Sequence, residues 1–220
     1  MDLICHGVAS DKYLQNHIRN IETKTKKKAY ELLFRDPEFL TENYVFSLSS
    51  NTGEKFYKKR VYQDDVYSLA YHKALSYREN CYQCNYACAA RCSDITIGDF
   101  SGLGKIEECP FDNRNVSCLL VNTEKGRKYV ETLLKDGRII AHERPLKEAL
   151  GFEKQLQRPS DKHRRREVFE AEYIRTHEFE GAAKTALRLE IIWNKLNYFL
   201  PLRFMKTLIL RSVNPNNTDM

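Results

Sequence analysis

The segment RENCYQCNYACAARCSDITIGDF (78–100) joins a run of cysteines directly to an apolar strand. The fold is predicted from this segment first and then from the stretches on either side of it. A C-x2-C step lets two thiolates reach one metal centre from a tight turn. Cys81 and Cys84 are therefore predicted to bind a metal. The compact run favours an iron–sulfur cluster, because structural zinc usually has two such pairs separated by a loop. An all-cysteine zinc site and plain buried cysteines are the alternatives.

The spacing of the later cysteines ranks them as ligands. If residues 84–92 are helical, Cys84, Cys88 and Cys92 lie on one face. Cys84 and Cys92 are then about 12 Å apart along the axis, at roughly 1.5 Å per residue. One cluster cannot bridge that distance, so Cys92 ranks last of the four as a ligand and Cys88 is the candidate additional ligand. Cys118 lies within an apolar strand and is predicted to be an ordinary buried cysteine.

Apolar runs and amphipathic stretches alternate on both sides of this segment. Strands are predicted at 2–8, 30–36, 45–50, 55–62, 94–100, 116–123 and 137–143, and helices at 10–23, 65–76 and 123–137. Strand 2–8 is so apolar that it is expected to be buried and flanked on both sides. The fold class is α/β (mixed α+β), with a small mixed sheet, flanking helices and a helical C-terminal third.

The helical pattern after Pro145 sets the predicted domain organisation. Residues 1–145 form the core domain, residues 146–211 form a helical extension and residues 212–220 form a flexible tail. Basic and apolar residues interleave over residues 182–211. Such a stretch can lie on a membrane surface, but packing on the domain or on a missing half is the favoured interpretation.

Composition limits the class of protein. The sequence has neither a signal peptide pattern nor an apolar run long enough to span a membrane, which predicts a cytoplasmic protein whose seven cysteines stay reduced. The net charge of +6 is spread along the chain. Nucleic-acid binding proteins usually concentrate their basic residues on one face, so no nucleic-acid partner is predicted.

Two places besides the cysteines are candidate binding sites. Gly98 and Asp99 end the strand after the cysteine run, where backbone could approach a cofactor and Asp99 could orient a ligand. An ordinary turn explains them equally well. The junction of a strand and a helix offers backbone N–H groups to a phosphate, although a simple helix cap is favoured there. Its candidate residues are Asn122, Thr123 and Gly126.

Three segments resemble the coenzyme F420 hydrogenase/dehydrogenase beta-subunit family. They are DLICHGVAS (2–10), the segment 78–100 quoted above and VSCLLVNTEKG (116–126), and residues 147–169 are similar to a later part of bacterial members. The resemblance implies a flavin-dependent iron–sulfur oxidoreductase subunit, in which a [4Fe-4S] cluster near FAD exchanges electrons with a partner. That partner is a ferredoxin-like protein or another subunit.

The resemblance also implies roles for individual residues. Cys5, Cys81 and Cys84 match cluster ligands of the family. His6 is a weak candidate for a proton donor near a flavin. Family members carry a further half before DLICHG, with a flavin-contact segment, and this chain has Ser101 where many relatives have Trp. The chain alone is therefore expected not to hold FAD tightly. A non-catalytic truncated remnant that keeps the fold is the alternative to an active subunit.

Overall fold

The computed structural model describes residues 1–38, 44–111 and 116–199. The predicted tail 212–220 and residues 200–211 of the predicted extension lie outside the described residues. The strands are β1 Asp2–Leu3, β2 Glu31–Leu33, β3 Val45–Ser49, β4 Lys55–Arg60, β5 Ile95–Asp99 and β6 Ser117–Val121. The helices are α1 Asp11–Thr25, α2 Val66–His72, α3 Glu124–Lys135, α4 Leu146–Phe152, α5 Arg166–Thr176, α6 Phe179–Ala186 and α7 Arg188–Phe199.

The chain forms two units, and each unit is built from separate stretches of sequence. The first unit contains Met1–Ser10 and the described part of Tyr77–Lys162. The second contains Asp11–Ser76 and the described residues from His163 onward. The division predicted near residue 145 separates a family core from an extension, and it stays a prediction.

The first unit is organised around a mixed sheet in the order β1-β5-β6. Strand β1 runs parallel to β5, with Leu3 opposite Ile97, and β5 runs antiparallel to β6. Successive side chains of a strand point to opposite faces. One face of the sheet therefore packs a core of apolar side chains from the strands and from the region of α4, namely Ile4, Cys118, Ala149 and Leu156.

The second unit contains the antiparallel sheet β2-β3-β4 together with α1, α2 and α5–α7. Its core includes Ile21 of α1 and Phe46 and Leu48 of β3. The turn between β3 and β4 contains Gly53, whose φ of 80° is a conformation that glycine adopts at no steric cost. The predicted hairpin over 45–62 is thereby confirmed.

A buried histidine joins three elements of the second unit. His17 of α1 is only 1% exposed; its Nε2 lies 2.9 Å from the carboxylate of Asp65, and its Nδ1 lies 3.1 Å from that of Glu180. Burial alone would lower the pKa of His17, but the hydrogen bonds with the two carboxylates outweigh it and raise the pKa to about 9. The imidazole is therefore a cation between two anions at neutral pH.

The fold class predicted from sequence is confirmed. Two small sheets combine with helices, the first sheet is mixed, and every regular element described after residue 145 is helical. Helix α3 begins as predicted, because Thr123 Oγ1 accepts a hydrogen bond from the backbone N–H of Gly126. It ends before Gly137, whose φ is 64°. No helix among the described residues is both long and apolar enough to cross a membrane.

Three local predictions were wrong. The stretch 2–8 forms only the short strand β1, which lies at the edge of its sheet in the described chain, with Leu3 59% exposed. Residues 137–143 form no strand, and Ile140 is 89% exposed. Residues 84–92 form turns and bends instead of a helix. In each case apolar or alanine-rich composition suggested regular structure, but composition does not specify the backbone hydrogen bonds that a strand or helix needs.

Candidate functional site

Two segments that carry candidate ligand cysteines are paired in the first unit. Cys5 lies in the stretch that follows β1, and Ala9 at the end of this stretch forms an antiparallel bridge with Tyr77. The backbone N–H of Arg78 donates to the carbonyl oxygen of Val8 at 2.8 Å. The chain then enters a 3-10 helix, Glu79–Gln83, which contains Cys81. The stretch with Cys5 is thereby fixed beside the stretch with Cys81.

A further hydrogen bond between these segments has a cysteine sulfur as its acceptor. The backbone N–H of Val8 donates to Sγ of Cys81 at 3.3 Å. Gly7 makes the approach possible, because a Cβ at this position would lie 2.3 Å from the ring of Tyr77. The φ of Gly7 is 151°, which side chains rarely permit. The glycine after Cys5 and His6 is therefore required by the packing of this turn on Tyr77.

The remaining cysteines of the run follow in a loop of turns. Cys84 ends the 3-10 helix, and its carbonyl oxygen accepts from the N–H of Ala87 at 3.1 Å. Sγ of Cys88 lies 3.3 Å from the carbonyl oxygen of Ala90. Sγ of Cys92 lies 3.9 Å from the carboxylate of Asp2. Because the loop is not helical, helical spacing no longer provides the argument against Cys92 as a ligand.

Arg91 holds this cysteine loop against β1. Its side chain is 4% exposed, and its guanidinium forms an ion pair with Asp2 at 3.0 Å. It also donates to the carbonyl oxygen of Leu3, and on the other side to those of Tyr86 and Cys88. Five N–H donors in a rigid fork let one arginine bind several oxygens in this way. Sequence reasoning missed Arg91, although a lone arginine inside a cysteine run is a usable signal.

The four predicted metal ligands have the right chemistry for a thiolate-bound centre. Cys81, Cys84 and Cys88 are partly exposed, Cys5 is exposed, and all are free thiols. Thiolates are the protein ligands of iron–sulfur clusters and of structural zinc. The hydrogen bond from the Val8 N–H to Sγ of Cys81 is of the kind that tunes such metal centres. Within the described ranges, no three Cys, His, Asp or Glu side chains are already grouped closely enough to hold a metal ion. Ligation by this set stays a prediction.

Gly98, Asp99 and His6 are placed near the same sheet. A Cβ on Gly98 would lie 2.6 Å from Cβ of Ile4, so this glycine is explained by the close approach of the chain after β1. Asp99 pairs with Ser117 at the end of β5 and β6. His6 is exposed, and its carbonyl oxygen accepts from Ser160 Oγ at 2.6 Å. Roles for these residues at a cofactor stay predictions.

The start of α3 is occupied by the protein's own side chains. Thr123 Oγ1 donates to the Asp94 carboxylate at 2.6 Å, and this hydrogen bond lowers the pKa of Asp94. Asn122 bridges Ser93 and Thr96. The carboxylate stands where an anionic ligand would be held and would repel it. The helix cap and its contact with Asp94 account for these residues as an ordinary helix start, and flavin contact through Asn122, Thr123 and Gly126 stays a prediction.

A Cβ on Gly126 would lie 2.3 Å from the carbonyl oxygen of Asp94. The glycine is thus explained by the close packing of the helix start on the end of the preceding loop. This contact alone explains why position 126 is a glycine, without a bound ligand.

The loop after β5 is held by a buried carboxylate that sequence reasoning also missed. The Glu148 carboxylate is inaccessible to solvent and accepts from the backbone N–H groups of Gly104, Ile106 and Glu107. It pairs with Arg144 at 2.8 Å, and hydrogen bonding from Arg144 lowers the pKa of Glu148 to about 2. The i, i+4 spacing of Arg144 and Glu148 could have indicated the pair.

Cys118 is buried as predicted, at 2% exposure, and burial raises the pKa of its thiol to about 11. A thiol of this kind is inert and is not a ligand candidate. Cys109 is partly buried in the loop after β5, with Sγ 3.4 Å from the carbonyl oxygen of Phe111. These two cysteines provide controls for any experiment on the cysteine run.

Comparison with known proteins gives one match. Residues 1–146 match a family model that describes the C terminus of the beta subunit of coenzyme F420 hydrogenase/dehydrogenase. Neither the curated proteins nor the solved structures compared with the chain give a match. The matched residues include β1, the cysteine run and the two segments, around Val8 and around Arg78, that pair with each other.

Proposed function

The chain belongs to the family defined by the C terminus of coenzyme F420 hydrogenase/dehydrogenase beta subunits, and from this we propose that it is an iron–sulfur electron-transfer subunit of an oxidoreductase. The family is that of a subunit, so the chain is a component of a multi-subunit oxidoreductase. The finer proposal is a [4Fe-4S] cluster held by Cys5, Cys81, Cys84 and Cys88. Such a cluster, when bound, accepts and donates single electrons.

The observation that carries this proposal is the hydrogen bond from the Val8 N–H to Sγ of Cys81. It supports a shared site because Val8 lies three residues after Cys5 in the same extended stretch. A backbone N–H directed at a sulfur ligand stabilises negative charge on that sulfur. Arg91 complements it by fixing the loop with Cys84 and Cys88 against β1.

An electron-transfer role requires that the centre lie near the surface, where a partner can approach. Cys5 is exposed and the three other candidate ligands are partly exposed, which supports access from one side. Tyr86 in the same loop is 68% exposed. We propose that a redox partner protein, ferredoxin-like or another subunit of the complex, docks on this side of the first unit.

Metal analysis of the full chain tests the proposal. The protein is purified without oxygen, supplied with iron and sulfide, and assayed for iron, sulfide, zinc and visible absorption. We expect brown protein with near-stoichiometric cluster iron. Cys81→Ala should lose most of the iron, whereas the matched control Cys118→Ala should keep it, because Cys118 is buried in the core. Colourless protein with one zinc per chain would reject the cluster and indicate a zinc-stabilised module.

Cys88→Ser tests the fourth ligand separately. If Cys88 is a ligand, the variant should lose cluster iron and visible absorption to a similar extent as Cys81→Ala. Unchanged metal content would show that the fourth ligand comes from elsewhere, for example from a partner protein. FAD is tested in the same preparations, and the expectation is that the chain alone does not retain it.

A further inference from the structure

Helix α7 exposes a continuous apolar face. The exposed fractions are 59% for Leu189, 44% for Ile192, 62% for Trp193 and 46% for Leu196. These positions follow the i, i+3, i+4, i+7 spacing, which places them on one side of a helix. The described part of α7 thus leaves these side chains exposed and does not bury them on the second unit.

The basic and acidic residues of α7 lie on different sides of the helix. The remaining exposed residues in the stretch 188–196 are Arg188 and Lys195, both basic. The single acid, Glu190, is half-buried instead, with Oε1 3.6 Å from His163 Nε2 and 3.7 Å from Arg164 Nη2. The solvent face of this stretch is therefore made of apolar and basic residues alone.

The sequence beyond this stretch has the same composition. Residues 197–211 contain no Asp or Glu, and they include Arg203, Lys206 and Arg211 among leucines and aromatic residues. A protein groove that received such a surface would have to be both apolar and acidic along its length. An anionic lipid surface offers an apolar layer beneath a negatively charged layer, which matches both features.

We propose that the exposed face of α7 binds an anionic lipid surface, with the apolar residues in the boundary between headgroups and acyl chains and the basic residues at the headgroups. Trp193 fits this role because its amphipathic ring favours the membrane interface. The proposal is independent of the metal centre, since α7 lies outside the matched family region and in the other unit.

Trp193 is the chain's only tryptophan, so its fluorescence reports this face alone. The full chain is titrated with vesicles of phosphatidylcholine, with and without added phosphatidylglycerol. We expect the Trp193 emission to shift to shorter wavelength with the anionic vesicles. Binding to neutral vesicles should be at least about tenfold weaker, since each basic residue near an anionic surface contributes roughly a fivefold gain. High salt should weaken anionic binding by screening.

The double variant Leu189→Gln/Leu196→Gln tests the apolar contribution and leaves Trp193 in place. It should weaken vesicle binding about tenfold or more, because two large apolar side chains no longer leave water. The matched control is Leu134→Gln/Leu146→Gln, which changes two leucines of the first unit that are 42% and 58% exposed. The control should bind vesicles like the unchanged protein, and circular dichroism should show all forms folded.

Several results would overturn the proposal. One is an emission spectrum that vesicles do not change, and another is equal binding of the Leu189/Leu196 variant and its control. A third is emission already shifted without vesicles and dependent on protein concentration, which would assign the face to a second copy of the chain. If the emission is already shifted without vesicles and does not depend on protein concentration, the apolar face of α7 would be assigned to contact with residues 200–220 of the same chain.

Discussion

Arg91 Nη2 donates to the carbonyl oxygen of Leu3 at 3.0 Å, while Nη1 of the same guanidinium lies 3.4 Å from the carbonyl oxygen of Cys88. One side chain thus joins the strand before Cys5 to the loop that contains Cys84 and Cys88. A residue that is not itself a proposed ligand therefore links the two segments that carry the proposed ligands.

Replacing Arg91 should weaken metal binding by releasing the loop. Arg91→Met removes every hydrogen bond of the guanidinium and leaves Asp2 without its cation, at a cost on the order of 3 kcal/mol to the first unit. Arg91→Lys keeps a positive charge but cannot serve carbonyl groups on both sides. We expect faster loss of iron to a chelator in both variants, with a smaller effect for lysine.

Arg127→Met is the matched control, because Arg127 is exposed on α3 and pairs with Glu124 of its own helix. Iron release is compared at a temperature where circular dichroism shows all variants folded. If Arg91→Met releases iron at the control rate, Arg91 does not position the ligands.

Gly7→Ala should separate the two cysteine segments. The new Cβ would meet the Tyr77 ring at 2.3 Å in a backbone conformation that alanine resists. The stretch with Cys5 must then move away from Cys81, and iron content should fall several-fold. Gly151→Ala is the control, because its Cβ meets no atom within 4 Å and alanine favours the helix by about 1 kcal/mol. Equal iron content in both variants would contradict the shared site.

Glu148→Gln should loosen the loop after β5. The amide carries no negative charge to pair with Arg144, and its NH2 group replaces a carboxylate oxygen that now accepts from the Arg144 guanidinium. The remaining oxygen, which accepts from the backbone N–H groups of the loop, therefore loses the charge that strengthens those hydrogen bonds. We expect trypsin to cut after Lys105 much faster in this variant. Glu143→Gln, which changes an exposed neighbour, should be cut at the original rate. Protection equal to that of the unchanged protein would mean that other contacts hold the loop.

The buried His17 makes the stability of the second unit depend on pH. Its pKa is raised to about 9 from an ordinary 6.5, so protonation favours the folded state. The contribution is complete below about pH 6.5 and is lost as the pH rises through about 9, at a cost on the order of 3 kcal/mol. The pKa values of Asp65 and Glu180 are lowered, so acid removes their contribution as the pH falls through those values.

Thermal unfolding measured between pH 6 and pH 9.5 tests this dependence. The unchanged protein should lose stability across the upper part of this range. His17→Gln should be less stable at pH 6 and nearly independent of pH above it. His72→Gln changes an exposed histidine of the same unit and should retain the original profile. A pH-independent melting temperature in the unchanged protein would show that His17 is not held as a cation.

The sequence predicted those elements whose signals are local. Helix α3 has a capping threonine and a terminating glycine, and the hairpin of β3 and β4 has a turn with Gly53 between the predicted strands 45–50 and 55–62. Both were confirmed at nearly the predicted bounds. Strand β1 was overestimated, because an apolar run predicts burial but does not specify how many neighbours the strand has in its sheet.

The parts of the site that sequence reasoning missed depend on contacts between distant positions. Arg91 contacts Leu3, Ser160 contacts His6, and Glu148 contacts a loop that precedes it by about forty residues. No local periodicity indicates such contacts. The cysteine run was found because metal ligation imposes a short, recognisable spacing, whereas the residues that position the run follow no fixed spacing.

The interleaving of the two units has a consequence during protein synthesis. β1 leaves the ribosome about ninety residues before its parallel partner β5, and all of Asp11–Ser76 is made between them. The second unit must in turn wait for α5 and α6, which follow the first unit in the chain. Neither unit can be completed before translation has passed residue 150, and closing such long loops slows folding. Until then, apolar strands of both units stay open to chaperones and to misassembly.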